Sequence, residues 1–553
     1  MLNRQPLLIP PNLLPKNQRE IQSQLRIRQQ APIPIMASEE SGHPQRYLIA
    51  LAVTLSSLVE GLDTSVVNVS VPEMMGSLGV SLDQIAWVST GYILSNVIII
   101  PLTGWLASLF GRKRYFTGSL ILFTVASFLC GQAKSLETLI FWRVMQGIGG
   151  GALVATSQAI LYEVFPSREH SRAMALWGMG IMVGPAMGPV IGGYLTETLS
   201  WPWIFYVNIP VCIAALILVV FLVPDSKYDE PVRRVDFLGL VLLAVGLGAC
   251  QLFLEDGNAI GWLSSIEGIE LAGLTLFCLG LFIWRELSFE SPVVDLRVLA
   301  NAQFTACCLF TFVQALCTLA IVFVTPLLLL DLMGYTALQT GMIMLPVALG
   351  TSLVMFVVGR ISHLCNPYAL ISFGVAIFLY AMWRYSYFDI LTPESAFTWP
   401  LLLRGIGLGM IFVPLNALAV ADLHPDKHAA ATGLLNLTRQ FGASVGVAVA
   451  AAVLGSMQGE FEAVLIDSAS GSSPEFAVVR EVVLARLHAD GITEPDAHIA
   501  ALGMLEKYTH QQATSIAFDR IFTIFGLALL VALPLIVFMR KNPERSMAAP
   551  VGH

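Results

Sequence analysis

From residue 47 onward the chain reads as apolar runs separated by short polar stretches. Most runs are near the about 20 residues that carry a helix across a bilayer at a rise of ~1.5 Å each. They fall at 47–71, 84–108, 115–133, 136–160, 173–196, 203–223, 236–254, 269–286, 304–328, 338–360, 367–388, 398–420, 430–455 and 518–539, fourteen candidate spans in all. The seventh and eighth are short and Gly-rich. Only helices or closed barrels satisfy the backbone in lipid. A barrel would show alternating segments of ~10 residues, not continuous runs. The pattern predicts an all-α polytopic membrane protein with about 14 transmembrane helices.

Composition agrees, since 12% of the 553 residues are charged against about 25% in soluble domains. Charge placement then orients the spans. Arg112–Arg114, Arg168 and Arg172, Lys227, Arg233 and Arg234, Arg285 and Arg297, Arg360, Lys427, and Arg540, Lys541 and Arg545 fall on one set of loops. Lys134 and Arg384 are the bases of the other short loops. The positive-inside rule therefore places both termini in the cytoplasm. The net charge of −8 is concentrated in 456–515, where nine acids face three bases. This loop carries helix-like stretches at 476–488 and 497–507 and is expected on the non-cytoplasmic side, as a docking or gating element. Residues 1–35 are rich in Pro, Gln and Arg, without a period, and read as a disordered tail, with Met36 a candidate start. The eight cysteines lie in or beside apolar segments, without metal spacing.

The chemistry begins in the first span, where L-V-E-G-L-D-T-S-V-V-N-V-S-V-P covers 58–72. An acid at bilayer depth costs about 2.5–3.5 kcal/mol on insertion scales and is a functional candidate by default. At ~100° per residue Glu60, Asp63, Thr64 and Val67 share one helix side. The fourth span carries F-W-R-V-M-Q-G-I-G-G-G-A, with Arg143, Gln146, Gly147 and Gly150 on one face. A membrane guanidinium needs an acid, and Asp63 and Glu60 are available. The pair is either part of proton coupling, with Asp63 the principal carrier, Glu60 assisting and Arg143 the countercharge, or a static structural ion pair.

The fifth span repeats glycine every fourth residue at Gly180, Gly184, Gly188 and Gly192, with Pro185 and Pro189 between. Such a stripe permits close helix contact, and each proline removes a helical donor and favours a bend. Gly104, Gly111 and Arg112 in G-W-L-A-S-L-F-G-R-K-R suit a tight turn. Asn68, Asn96, Gln146, Gln314 and Asn416 are in-span polar residues that either line a cavity or bridge helices. In the second half, L-L-L-R-G-I-G-L-G around Arg404 echoes Arg143, and V-V-G-R at Gly359 and Arg360 echoes the turn. Halves duplicated around a midplane site are a common plan of secondary transporters.

These motifs resemble the major facilitator superfamily and, within it, the fourteen-spanner drug:proton antiporters of the EmrB/QacA type. L-D-T-S-V-V-N-V-S-V-P is similar to that group's first-helix motif, and R-V-M-Q-G-I-G-G-G to the fourth-helix motif assigned to proton coupling. G-P-A-M-G-P-V-I-G-G is similar to the antiporter motif. Ser108 stands where the superfamily's turn motif carries an acid. The resemblance implies two six-helix bundles plus two inserted helices: a tail at 1–46, an N-terminal bundle at 47–223, a linker with the inserted pair at 224–303, a C-terminal bundle at 304–540 that includes the 456–515 periplasmic loop, and a tail at 541–553. It further implies export across a bacterial inner membrane and an EmrA-like periplasmic adaptor with a TolC-like outer-membrane channel. No cofactor is expected beyond the proton gradient as energy source, and nucleic acid is not an expected partner.

Three functions compete at this point. One is a proton-driven exporter of lipophilic or amphipathic compounds. A second is a secondary transporter of one physiological solute, such as a siderophore or metabolite. The third, a membrane-embedded enzyme or receptor, lacks a P-loop, zinc motif or nucleophile–base signature.

Overall fold

A computed structural model describes residues 43–226, 236–289, 292–362, 364–388, 392–469, 481–482, 484–487 and 496–539. Nearly all of the expected tails, Lys227, Arg233 and Arg234, and much of the acidic loop lie outside the described residues, as do the side chains of Asn68 and Pro189. The described residues from Gln45 onward form one compact unit. Among the described residues, fourteen helical spans are long and apolar enough to cross a membrane. They are carried by α1 (Arg46–Leu78), α2 (Leu82–Phe110), α3 (Arg112–Gly131), α4 (Leu136–Val164), α5 (His170–Thr198), α6 (Asn208–Leu222, whose span begins at Trp203) and α7 (Phe237–Ile260). Then come α8 (Ile266–Ser288), α9 (Ala302–Leu327), α10 (Ala337–Ile361), α11 (Pro367–Tyr385), α12 (Glu394–Val420), α13 (His428–Ala469) and α14 (Asp496–Val531).

Local chemistry sets the helix ends. Ser81 and Gln84 form a capping box at the start of α2, and Thr336 and Gln339 form another at α10. Gly79, with φ 66°, closes α1 through its amide on the Met75 carbonyl. Gly111, at φ 82°, makes the one-residue junction between α2 and α3, where a side chain would be strained. One expected boundary is displaced. Helix α13 runs past residue 455 to Ala469, and α14 begins at Asp496 rather than near 518. The chain after 455 becomes polar but has no proline until Pro474, so the hydrogen-bond ladder continues where the apolar run stops. At 42 residues α13 is about 63 Å long, twice a hydrocarbon core of about 30 Å.

The two halves repeat one packing scheme. In α1–α6, α1 packs on α5 and α6, α4 on α2 and α3, and α3 on α6. In α9–α14, α9 packs on α13 and α14, α12 on α10 and α11, and α11 on α14. Helices α7 and α8 pack on each other, and α7 also touches α2 and α13. Asp236 ties the inserted pair together. It caps α7 through the Gly239 amide at 3.0 Å and accepts Arg285 Nε of α8 at 3.0 Å. Burial works against its charge, but these bonds outweigh burial and hold the carboxyl below its ordinary range.

Contact between the halves is symmetric too, with α5 on α10 and α2 on α13. A Cβ on Gly104 would lie 3.2 Å from the Ala430 Cα, one on Gly433 3.1 Å from Thr103 Oγ1, and one on Gly359 would run into the Ala175 methyl. All three contacts, on two seams, sit toward the end of the bundle that bears Arg112, Arg172, Arg360 and Lys427, here termed the basic end.

Candidate functional site

The first-span acids receive different surroundings. Asp63 is fully buried, as are Gln146 and Asn208, and Arg143 is 1% exposed. Asp63 Oδ2 accepts Arg143 Nη1 at 2.6 Å, and Oδ1 accepts Gln146 Nε2 and Asn208 Nδ2, each at 2.8 Å. Arg143 also donates to Gln146 Oε1 at 2.8 Å and the Val88 carbonyl at 3.0 Å, and its guanidinium lies 4.2 Å from the Tyr92 ring centre. The carboxylate is thus held by α4 and α6, and the arginine by α1, α2 and α4. Burying a charge is costly unless it is paired and hydrogen-bonded, and this pair is both.

Glu60, almost one turn earlier, has no such shell. Asn96 Nδ2 of α2 donates to its Oε1 at 3.2 Å, and no described cation pairs with it. Its side chain is partly exposed, where Asp63 is sealed. Sequence reasoning makes Asp63 the principal carrier, with Glu60 assisting and Arg143 the countercharge. In this arrangement Asp63 is sealed in its pair with Arg143, and Glu60 is partly exposed.

Helix α1 is also the helix that the glycine stripe serves. A Cβ at Gly184 would lie 2.6 Å from the Leu58 carbonyl oxygen, and one at Gly192 3.1 Å from that of Val66. At Gly180 it would meet the Thr54 side chain and at Gly188 that of Ser65. Pro189 has no N–H for the Pro185 carbonyl four residues back. Ser65 of α1 donates its hydroxyl to that carbonyl at 2.9 Å. Glycine and proline here act together: one removes bulk, and the other frees an acceptor that the neighbouring helix satisfies.

Asn416 belongs to neither acid. It accepts Gln158 Nε2 at 2.8 Å and Arg439 Nη2 at 2.9 Å on its side-chain oxygen, and Tyr162 OH at 2.7 Å on its carbonyl. Asn436 closes the set by donating to Gln158 Oε1 at 2.8 Å. Arg439 lies 5.1 Å from the Phe412 ring centre and 5.9 Å from that of Trp177. This cluster joins α4 to α12 and α13 near the basic end and latches the halves together. Gln314 is bonded within its own helix to Thr318 at 3.2 Å. Arg112 pairs with Glu163 at the end of α4, while Ser108 donates to Gly104 of its own helix at 2.9 Å. Asn208, Gln158 and Asn436 were not singled out from sequence. They are in-span amides of the same kind as those that were, and nothing in their local sequence sets them apart.

A family model described as the Major Facilitator Superfamily matches residues 53–447. The Multidrug export protein EmrB of Escherichia coli (strain K12) is 31% identical over 90% of this chain and 96% of its own length. The Multidrug export protein EmrB of Haemophilus influenzae is 36% identical over 73% of this chain and 79% of its own. Among solved structures, the human organic anion transporter MFSD10 superposes with a TM-score of 0.60 at 14% identity, over 89% of this chain and 100% of that one.

Proposed function

This chain belongs to the major facilitator superfamily, and from that premise we propose that it is a proton-driven exporter of lipophilic or amphipathic compounds, not an enzyme. The observation that carries the coupling step is Glu60: a partly exposed carboxyl in the core of α1, held by one amide, beside a sealed Asp63–Arg143 pair. Glu60 takes up a proton from the outer side and gives it up inside. Asp63 and Arg143 hold α1 against α4 while it does so. The glycine stripe lets α1 and α5 slide in contact as the halves rock. In the arrangement described, the latch of Gln158, Asn416 and Asn436 closes the basic end.

Export, rather than import, is supported by the relatives named multidrug export proteins. The orientation of loop bases supports a bacterial inner-membrane location with both termini cytoplasmic and the basic end inward. The helical extensions of α13 and α14 then lie on the outer side, where a periplasmic adaptor and an outer-membrane channel would engage. The reading is tested in inverted vesicles containing the full chain. A lipophilic dye should accumulate with an imposed proton gradient, and collapse of the gradient should abolish accumulation. Uptake of one polar metabolite alone would favour the single-solute transporter instead.

A further inference from the structure

A groove of about 290 Å³ lies at the basic end, where α1, α5 and α10 meet. Its mouth carries Arg172 and Arg360, and its walls include Leu176, Met179 and Phe356. We propose that it binds an anionic phospholipid of the inner leaflet, with the phosphate at the two guanidiniums and an acyl chain along the apolar wall. The proposal goes beyond the transport reading and does not depend on what is exported.

Charge is the first argument. Arg46 Nε lies 3.0 Å from Glu169, and Arg172 lies 3.8 Å from the same carboxylate. Arg360 is exposed, lies 5.4 Å from the Phe356 ring centre, and has no carboxylate partner among the described residues. Three guanidiniums against one carboxylate leave two positive charges at the mouth. The second argument is polarity with depth. Leu176 and Met179 follow Arg172 by about one and two turns of α5, and Phe356 precedes Arg360 by about one turn of α10. The cations therefore sit at the membrane surface and the apolar wall runs inward, in the order of a phospholipid's own parts. Leu51 of α1, 51% exposed, and Leu353 of α10, 65% exposed, continue the apolar surface toward lipid. Basic pockets between helices at the cytoplasmic face are recognised lipid headgroup sites.

The groove is built from both halves, beside the seam where Gly359 meets Ala175. A lipid seated there touches α1 and α5 on one side and α10 on the other. It therefore favours the arrangement closed at the basic end and is released when the halves part.

The test uses the full chain purified in a neutral detergent, with lipid binding measured by native mass spectrometry. Dioleoylphosphatidylglycerol should bind in preference to dioleoylphosphatidylcholine, and glycerol 3-phosphate, lacking acyl chains, should not compete. Arg360→Gln should weaken phosphatidylglycerol binding about five-fold and Arg172→Gln/Arg360→Gln about 25-fold, the usual effect of losing one or two surface cations. Arg172→Lys/Arg360→Lys should keep the preference, and Arg384→Gln at the opposite end should change nothing. Equal binding of the two lipids, or undiminished phosphatidylglycerol affinity in Arg360→Gln and in the double Gln variant, would overturn the proposal. So would competition by glycerol 3-phosphate at the lipid's own affinity.

Discussion

Glu60→Gln and Asp63→Asn change charge with little change of shape, yet the structure assigns them opposite consequences. Glutamine at 60 keeps the oxygen that accepts Asn96 at 3.2 Å and meets no described cation. Its cost to folding should stay within about 0.5 kcal/mol, the range of sites outside buried networks. What it removes is the titrating group. One proton moving down 100 mV supplies about 2.3 kcal/mol, enough for roughly a 50-fold gradient of a neutral solute. Accumulation in inverted vesicles should therefore fall from that order to none, while downhill exchange continues. Asparagine at 63 replaces one of two oxygens that accept three donors from Arg143, Gln146 and Asn208. It turns an N–H toward a donor and strands the guanidinium, which costs about 3–5 kcal/mol for a broken buried pair. That is a large part of a typical stability of about 5–15 kcal/mol. Thermal unfolding in detergent, followed by size-exclusion chromatography, should show a marked loss for Asp63→Asn and none for Glu60→Gln. If Glu60→Gln keeps gradient-driven accumulation while Asp63→Asn unfolds normally and loses it, the roles assigned here are reversed.

Gly188→Leu should insert and fail to transport, because its Cβ alone would overlap the Ser65 side chain, whereas Gly193→Leu, with nothing within 4 Å, should transport normally. Transport assays on the two variants at matched expression separate a stripe facing α1 from one facing lipid. Asn436→Ala removes the donor to Gln158 and the acceptor of Arg439; at about 1.4 kcal/mol, for a hydrogen bond of ordinary strength, it should shift the halves about ten-fold toward opening at the basic end. Maleimide labelling of a cysteine at Ala430 should then rise, and unchanged labelling would remove the latch from the mechanism. For topology, an impermeant maleimide applied to intact cells should label Ser472→Cys but not Ser226→Cys. Seven native cysteines are buried and Cys365 is half-buried, so the background should be low.

The spans were legible because a bilayer imposes a length, and an apolar run either meets it or does not. The ends of α13 and α14 were not legible for the same reason: hydropathy records where lipid stops, and the helix goes on through polar residues with no proline to break it. Arg143 and Asp63 could be paired from sequence because a buried cation requires an acid and few were available. The neutral amides around them make no such demand. Asn208 sits 145 positions from Asp63, and nothing in either local pattern joins them. The glycine stripe announced a close contact but not its partner, since any helix backbone would fit. The different burial of the two acids was not legible, because it comes from neighbouring helices rather than from the α1 sequence.

The repeated halves add a comparison within the chain. Around Arg143 a Cβ at Gly149 would lie 2.9 Å from the Phe123 amide nitrogen, and one at Gly151 2.9 Å from the Asn96 carbonyl. Around Arg404 the same distances recur, with Gly407 2.9 Å from the Phe378 amide nitrogen and Gly409 2.9 Å from the Thr351 carbonyl. Backbone approach was thus kept in both copies, because helix packing requires it in each. The charged position was not: in that register Arg404 stands where the first half has Gln146. Arg404 is 2% exposed and meets Thr325 Oγ1 at 3.4 Å, with the Tyr385 ring 5.8 Å away and no described carboxylate. Leu401 stands where the first half has Arg143, so the second half has no counterpart of the Asp63 pair; this favours the proposal that α1 and α4 hold the proton chemistry, while the second half contributes motion and the latch.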